Sequence, residues 1–231
     1  VIDMHTSTAN MGACLIIDEW CPLAMWAAAY VREHWDAECA AEEGAGARAG
    51  AGGTQHELRV LLQTGKGQAE TPYLSSVGRA GIEIEVGPTP QGLLRADVLA
   101  TTERALRLLL RFFDMYAAGD APGSLLPLPP ARTLRVFVDR GKISWGENQP
   151  GTNLPGCLVH HSLQDRDFEP LAKGAPLFER DDGSVVAYDG ALGDVVYPAF
   201  VNEAAYYLHD SGRGVSFFEM RDVELPDLPR R

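Results

Sequence analysis

Basic residues are scarce in this chain. The 20 Lys and Arg face 32 Asp and Glu, and a net charge of −12 leaves no cationic surplus to displace counterions from a nucleic acid or to hold an anionic membrane. Long apolar runs are missing as well. None approaches the roughly 18 residues of a membrane span, and the opening residues lack the pattern of a secretory signal peptide. Cysteine is sparse and irregularly spaced: Cys14, Cys21, Cys39 and Cys157 form no Cys-x-x-Cys pair, which reads as reduced thiols in a cytoplasmic protein. No internal repeat is visible. What is present is a composition of 45% hydrophobic and 23% charged residues, that of an ordinary globular chain, and 231 residues suffice to bury a core.

The texture of the chain changes partway. Residues 1–118 alternate strand-like and helix-like runs, the signature of an α/β fold. Residues 1–5 read as the end of a buried strand, and a polar loop leads to a second apolar strand at 13–17. A helix follows from Pro22, with Leu23, Trp26, Ala27, Tyr30 and Val31 at helical spacing. Residues 37–53 are low in complexity and lack large apolar groups, so a mobile surface loop is expected there. A short strand is expected at 56–63. The clearest helix spans 94–118, with Arg104, Arg107, Arg111 and Asp114 marking its wet face and Leu106, Leu109, Leu110 and Phe113 its dry one. Residues 119–132 are rich in proline and fit a linker. Beyond it, short runs at 133–138, 157–160, 185–188, 195–201 and 215–219 predict a small β-rich domain over 133–225.

Within the first part, Ile82-Glu83-Ile84-Glu85-Val86 is the informative stretch. Strand side chains alternate, so the three aliphatics share one face and the two glutamates the other. Carboxylates on a strand that otherwise reads as buried are costly unless a cation, a hydrogen-bond network or water receives them. An edge strand with one wet face would satisfy the same pattern. Glu85 lies toward the C-terminal end, where open α/β sheets place ligands. Near the start, Asp3 and His5 share a face. An imidazole there can bind a metal through one nitrogen while a carboxylate orients the ring through the other, although a hydrogen-bonded surface histidine has the same sequence.

Four pieces together resemble the aspartoacylase and succinylglutamate desuccinylase family of zinc amidohydrolases. They are Asp3-Met4-His5-Thr6-Ser7-Thr8-Ala9-Asn10-Met11-Gly12; Glu85-Val86-Gly87-Pro88-Thr89-Pro90-Gln91-Gly92-Leu93-Leu94-Arg95-Ala96-Asp97; His160 with Leu163-Gln164-Asp165; and Val196-Tyr197-Pro198-Ala199-Phe200-Val201-Asn202-Glu203-Ala204-Ala205-Tyr206-Tyr207. They occur in the family's order. The resemblance implies a zinc-carboxypeptidase-like catalytic domain, here its C-terminal part, followed by a β-rich domain. It implies one Zn2+ per subunit with His5 as a ligand, and Glu85 as the base and proton shuttle for the zinc-bound water. A zinc ion lowers the pKa of its water to about 7. Tyr206 is implied as a substrate contact, whereas Asn202 and Glu203 are expected to brace their segment. The implied partner is a small N-acyl amino acid, with no nucleic acid or membrane, and a homo-oligomer is left open.

Two departures accompany the resemblance. The family's His-x-x-Glu ligands and its Asn-Arg pair have no counterpart, so the chain is expected to be the C-terminal portion of an amidohydrolase and inactive alone. Aspartate-selective members also carry an arginine ten residues before the catalytic glutamate, where this chain has Ser75. That leans toward N-acyl aromatic or other uncharged amino acids as substrates. A metal-free binding protein of the same fold and a desuccinylase are the competing readings.

Overall fold

The computed structural model describes residues 1–44, 57–119, 132–152, 154–208 and 214–229. The first part contributes β1 (Ile2–Thr6), β2 (Gly12–Asp18), α1 (Pro22–Gly44), β3 (Leu58–Gln63), β4 (Ile82–Gly87) and α2 (Ala96–Ala118). The second contributes β5 (Thr133–Ile143), β6 (Cys157–Val159), β7 (Leu171–Ala172), β8 (Pro176–Arg180), β9 (Val185–Ala187), β10 (Val195–Ala199), α3 (Ala205–Leu208) and β11 (Val215–Glu224). One mixed sheet of eight strands crosses both parts in the order β1-β4-β2-β3-β5-β11-β10-β7, and β6-β8-β9 form a second, antiparallel sheet.

Period-two alternation sends successive side chains of β2 to two different cores, and the strand is apolar from Ala13 through Ile17. Leu15 and Ile17 enter the core shared with α1 and α2, while Cys14 and Ile16 enter another core on the opposite face, with Leu61, Phe137, Phe168 and Phe218. A strand covered on both faces reads as a continuous hydrophobic run. The helical side holds the bulkiest fully buried groups, among them Trp26, Trp35, Tyr30 and Phe112. Each such aromatic or aliphatic side chain contributes roughly 1.5–3 kcal/mol by leaving water. A third core lies around Trp145, Leu177, Tyr188 and Phe217.

Several expectations are corrected. β4 lies between β1 and β2, so its glutamates are not the wet face of an edge strand. β1 is the outer strand instead, paired with β4 alone, and its Met4 and His5 are exposed. α1 continues through Gly44, because Ala37, Ala40 and Ala41 are strong helix formers and Cys39 is buried. Residues 45–53 of the expected loop, like 120–131 of the expected linker, lie outside the described residues.

The buried stripe of α2 is Val98, Thr101, Arg104, Ala105, Leu108, Leu109 and Phe112, whereas Leu110 is half exposed. Arg104 is therefore on the dry side. Its guanidinium lies 5.0 Å from the Trp35 ring and donates to Cys39 Sγ at 3.0 Å, so α1 packs against a charge that water would otherwise surround.

Candidate active site

β1 and β4 run parallel, and their register sets Asp3 beside Glu83 and His5 beside Glu85. Ile82, Ile84 and Val86 fill the helical core, so alternation turns both glutamates to the other face. Two glycines let neighbouring backbone close on β4. A Cβ at Gly81 would lie 2.0 Å from the Ser75 carbonyl oxygen, and one at Gly87 would lie 2.2 Å from that of Ala9. The loop after β1 thereby packs against the end of β4, close to Glu85.

That loop is tied to a distant segment of the chain. Ser7 Oγ donates to Glu203 Oε2 at 2.5 Å, and the Thr8 amide donates to the same oxygen at 3.0 Å. Thr8 Oγ1 donates to the Asn202 carbonyl at 2.9 Å and accepts from the Ala204 amide at 2.7 Å. Asn10 Nδ2 donates to the Asp165 carbonyl at 2.5 Å, Asn202 Nδ2 donates to Gln164 Oε1, and Tyr207 Oη donates to Asn202 Oδ1. The expectation that Asn202 and Glu203 brace their segment agrees with these bonds. Phe200 (φ 59°) and Asn202 (φ 60°) both occupy the left-handed region. Such backbone costs on the order of 1–3 kcal/mol per residue and persists where the surroundings over-determine it. The resulting turn brings Phe200, Glu203 and Tyr206 to one cavity.

The cavity has a volume of about 630 Å³ and brings His5, Glu85 and Tyr206 together. Glu83, Asp3, Asp139 and Glu203 add carboxylates to its wall, and Tyr73, Phe200 and Phe218 add aromatic surface. Burial pushes the Glu85 carboxyl up to about 7; the Glu203 carboxylate adds to the effect, and His5 opposes it. The His5 imidazole is raised chiefly by its hydrogen bond to Asp3, with Nε2 2.9 Å from Asp3 Oδ2, although burial works the other way. Burial also raises Glu83, which accepts from Ser75 Oγ at 2.9 Å. The Tyr206 phenol is pushed well up by burial, against a hydrogen bond with Ser216. Its ring lies 3.5 Å beneath Lys142 Nζ and 5.7 Å from the Phe200 ring.

Chemically, the arrangement pairs a carboxyl group able to gain and lose a proton near neutrality with an imidazole and a phenol. Proton transfer is most effective when the group titrates near the working pH. A zinc centre needs at least three protein ligands, and His5 offers one imidazole already oriented by Asp3. Among the described residues, the three-ligand cluster that could close on an ion is elsewhere. It comprises His160, His161 and Glu179, whose ligand atoms lie within 4.8 Å of one another, and none of the three lines the cavity. His160 is buried and its Nδ1 accepts from the Ser162 amide, whereas the His161 side chain is exposed and 3.4 Å from Glu179. Among the described residues, His5 is the one imidazole that lines the cavity, and it would supply one of the ligands a zinc ion requires.

Sequence reasoning overlooked Lys142. The strand expected at 133–138 continues as β5 to Ile143 despite Gly141, and the register sets Lys142 opposite Ser216 on β11. Both residues line the cavity. The signal was the apolar Ile143 beyond the Gly-Lys step, which is thin. Ser75, at the position singled out for substrate choice, is buried and lies outside the cavity lining.

Comparison with known proteins agrees with the motif pieces. Residues 133–212 match the AstE/AspA barrel-sandwich hybrid domain. The human N-acyl-aromatic-L-amino acid amidohydrolase (carboxylate-forming) is 33% identical over 99% of this chain and 62% of its own length. A probable aspartoacylase from Acaryochloris marina is 33% identical over 97% of this chain and 65% of its own. The crystal structure of murine aminoacylase 3 superposes with a TM-score of 0.72 at 29% identity, covering 97% of this chain and 64% of that one. The chain thus spans less than two thirds of the length of these relatives, and its α/β fold with a mixed sheet is similar to that of aminoacylase 3. It is a homologue of the aspartoacylases and of aminoacylase 3 over nearly its whole length, with an AstE/AspA barrel-sandwich hybrid domain at 133–212.

Proposed function

We propose that the whole protein hydrolyses the amide bond of N-acyl amino acids, releasing a carboxylate and a free amino acid. The observation that carries this reading is the meeting of Glu85, His5 and Tyr206 in one cavity, with the Glu85 carboxyl raised to about 7. In its ionised form Glu85 takes a proton from the attacking water, and in its protonated form it returns that proton to the departing amine. The same carboxyl group serves both steps, so a pKa near neutrality suits it to each. Tyr206, which lines the same cavity, contacts the substrate.

The cofactor in this proposal is zinc, one ion per subunit, with His5 as one ligand and Asp3 fixing the ring through Nε2. When bound, zinc supplies acidity to water and stabilises negative charge on the carbonyl oxygen. We take residues 1–118 as part of a zinc-carboxypeptidase-like catalytic domain, with 119–132 as linker and 133–225 as the β-rich domain. In this proposal His5 is the one ligand assigned among the described residues, and with the remaining ligands supplied elsewhere in the whole protein this chain is inactive alone. A cytoplasmic location suits four buried, free cysteines.

The test is product analysis with the full-length protein. Acetate and free amino acid are expected from N-acetyl-phenylalanine or N-acetyl-aspartate, whereas release from neither, with the protein folded and zinc supplied, would overturn the reading.

A further inference from the structure

We infer that His160, His161 and Glu179 form a second metal site, which takes a divalent cation of the zinc class and serves the fold instead of the reaction. The inference is independent of the amidohydrolase reading, since none of the three residues lines the cavity. Its evidence is convergence. One ligand atom from each residue lies within 4.8 Å of the other two, and no second group of this kind occurs among the described residues. His160 also belongs to a motif piece, yet the cavity gives it no role.

The fold brings the three together from two strands. β6 ends at Val159, and the His160 amide then donates to the Leu177 carbonyl at 2.9 Å, so the turn at 161–163 starts beside β8. In the β6–β8 register Leu158 is opposite Glu179, and His161 Nδ1 lies 3.4 Å from Glu179 Oε2. The His160 and His161 rings are 4.0 Å apart between centroids, tilted by 35°. Two protonated imidazoles at that separation repel, whereas one shared dication lets both stay neutral.

An ordinary surface ion pair would involve His161 and Glu179 alone. His160 exceeds it. Its ring is buried, with Nδ1 2.8 Å from Ser162 Oγ and 3.2 Å from the Ser162 amide. Nε2 is left for a cation, and binding there selects the tautomer whose Nδ1 proton goes to the Ser162 hydroxyl. Ligand imidazoles are commonly held through their second nitrogen in this way. His161 is exposed and Glu179 partly so; an ion can enter without displacing packed core, and water can complete the tetrahedron. Two imidazoles with one carboxylate suit zinc, nickel or copper better than magnesium or calcium, which favour all-oxygen shells.

The consequence is a clip. His161 and Glu179 are 18 positions apart, and a shared ion closes the chain between them. That stretch carries Gln164 and Asp165, which hold Asn202 and Asn10. The ion therefore steadies both the turn and the loop that reach the cavity, without touching it.

The experiment counts zinc in the full-length protein after chelator stripping, reloading and removal of the excess, and follows thermal unfolding and hydrolysis alongside. The variants are His161→Ala with Glu179→Gln, both on the surface, and separately His5→Ala. The parent is expected to retain one more zinc than the His161→Ala/Glu179→Gln protein, whose affinity for that ion falls about tenfold or more. The ion is expected to persist in His5→Ala. Zinc should raise the unfolding temperature of the parent more than that of the double variant, while the stripped proteins unfold alike and hydrolysis stays at the parental rate. Equal zinc content and affinity in the parent and a folded double variant would overturn the site. A difference in unfolding temperature of the same size with and without zinc would overturn its structural role. A parent that binds the ion and hydrolyses nothing would count against the amidohydrolase reading and leave this site supported.

Discussion

His5 and Glu85 are register partners across the parallel pair β1 and β4, although eighty positions separate them in the chain. Everything proposed for the site depends on that pairing. It couples an imidazole to a carboxyl group that burial has already brought near neutrality, and each pulls the other toward its charged form. The second wall is contributed by β5, α3 and β11, so the cavity exists only where the two parts of the chain meet.

Glu203 offers the first test of this electrostatic picture. After burial, its carboxylate is the largest influence raising Glu85. Replacing it by Gln removes the charge while an amide oxygen still accepts from Ser7 and Thr8. The Glu85 pKa should fall, and activity that requires ionised Glu85 should persist to lower pH. The acid limb of the kcat/KM profile of the full-length Glu203→Gln protein is expected to move to lower pH. A limb that stays in place or moves to higher pH would contradict the coupling.

Asp167 tests the link between burial and stability away from the cavity. Burial raises its carboxyl from 3.8 to about 7, despite a bond from the Val201 amide to Oδ1 at 3.0 Å. A raised carboxyl means that the fold favours the protonated form. The stability so gained is complete below about pH 4 and is lost as pH rises through about 7. Asp167→Asn keeps the Oδ1 acceptor and cannot ionise. Denaturant unfolding at pH 5 to 8 should show a shallower decline for the variant than for the parent. Parallel declines would show that Asp167 does not titrate in this window.

Much of the fold was legible because alternation is a local property. The buried aliphatics and cavity-facing glutamates of β4 follow from five consecutive residues. The partners of those strands were not legible, since parallel pairing joins segments far apart and leaves no local trace. The same limit rotated the face of α2: Arg104 looks solvated until Trp35 and Cys39 of α1 are set beside it. Strand β8 escaped notice because Pro176, Glu179 and Arg180 interrupt its apolar pattern, although Leu177 and Phe178 are buried. For the site, the motif pieces named His5, Glu85 and Tyr206, whereas Lys142 was hidden beyond a glycine that looked like the end of its strand.

The central claim is that Glu85 carries the proton during amide hydrolysis, and Glu85→Gln tests it most directly. In the full-length, zinc-supplied protein the substitution keeps the size and one acceptor oxygen but removes the group that gains and loses a proton. The expected result is a kcat lowered by about 10²-fold or more, with KM for an N-acyl amino acid changed by less than about threefold. A variant that is folded and turns over at the parental rate would contradict the claim.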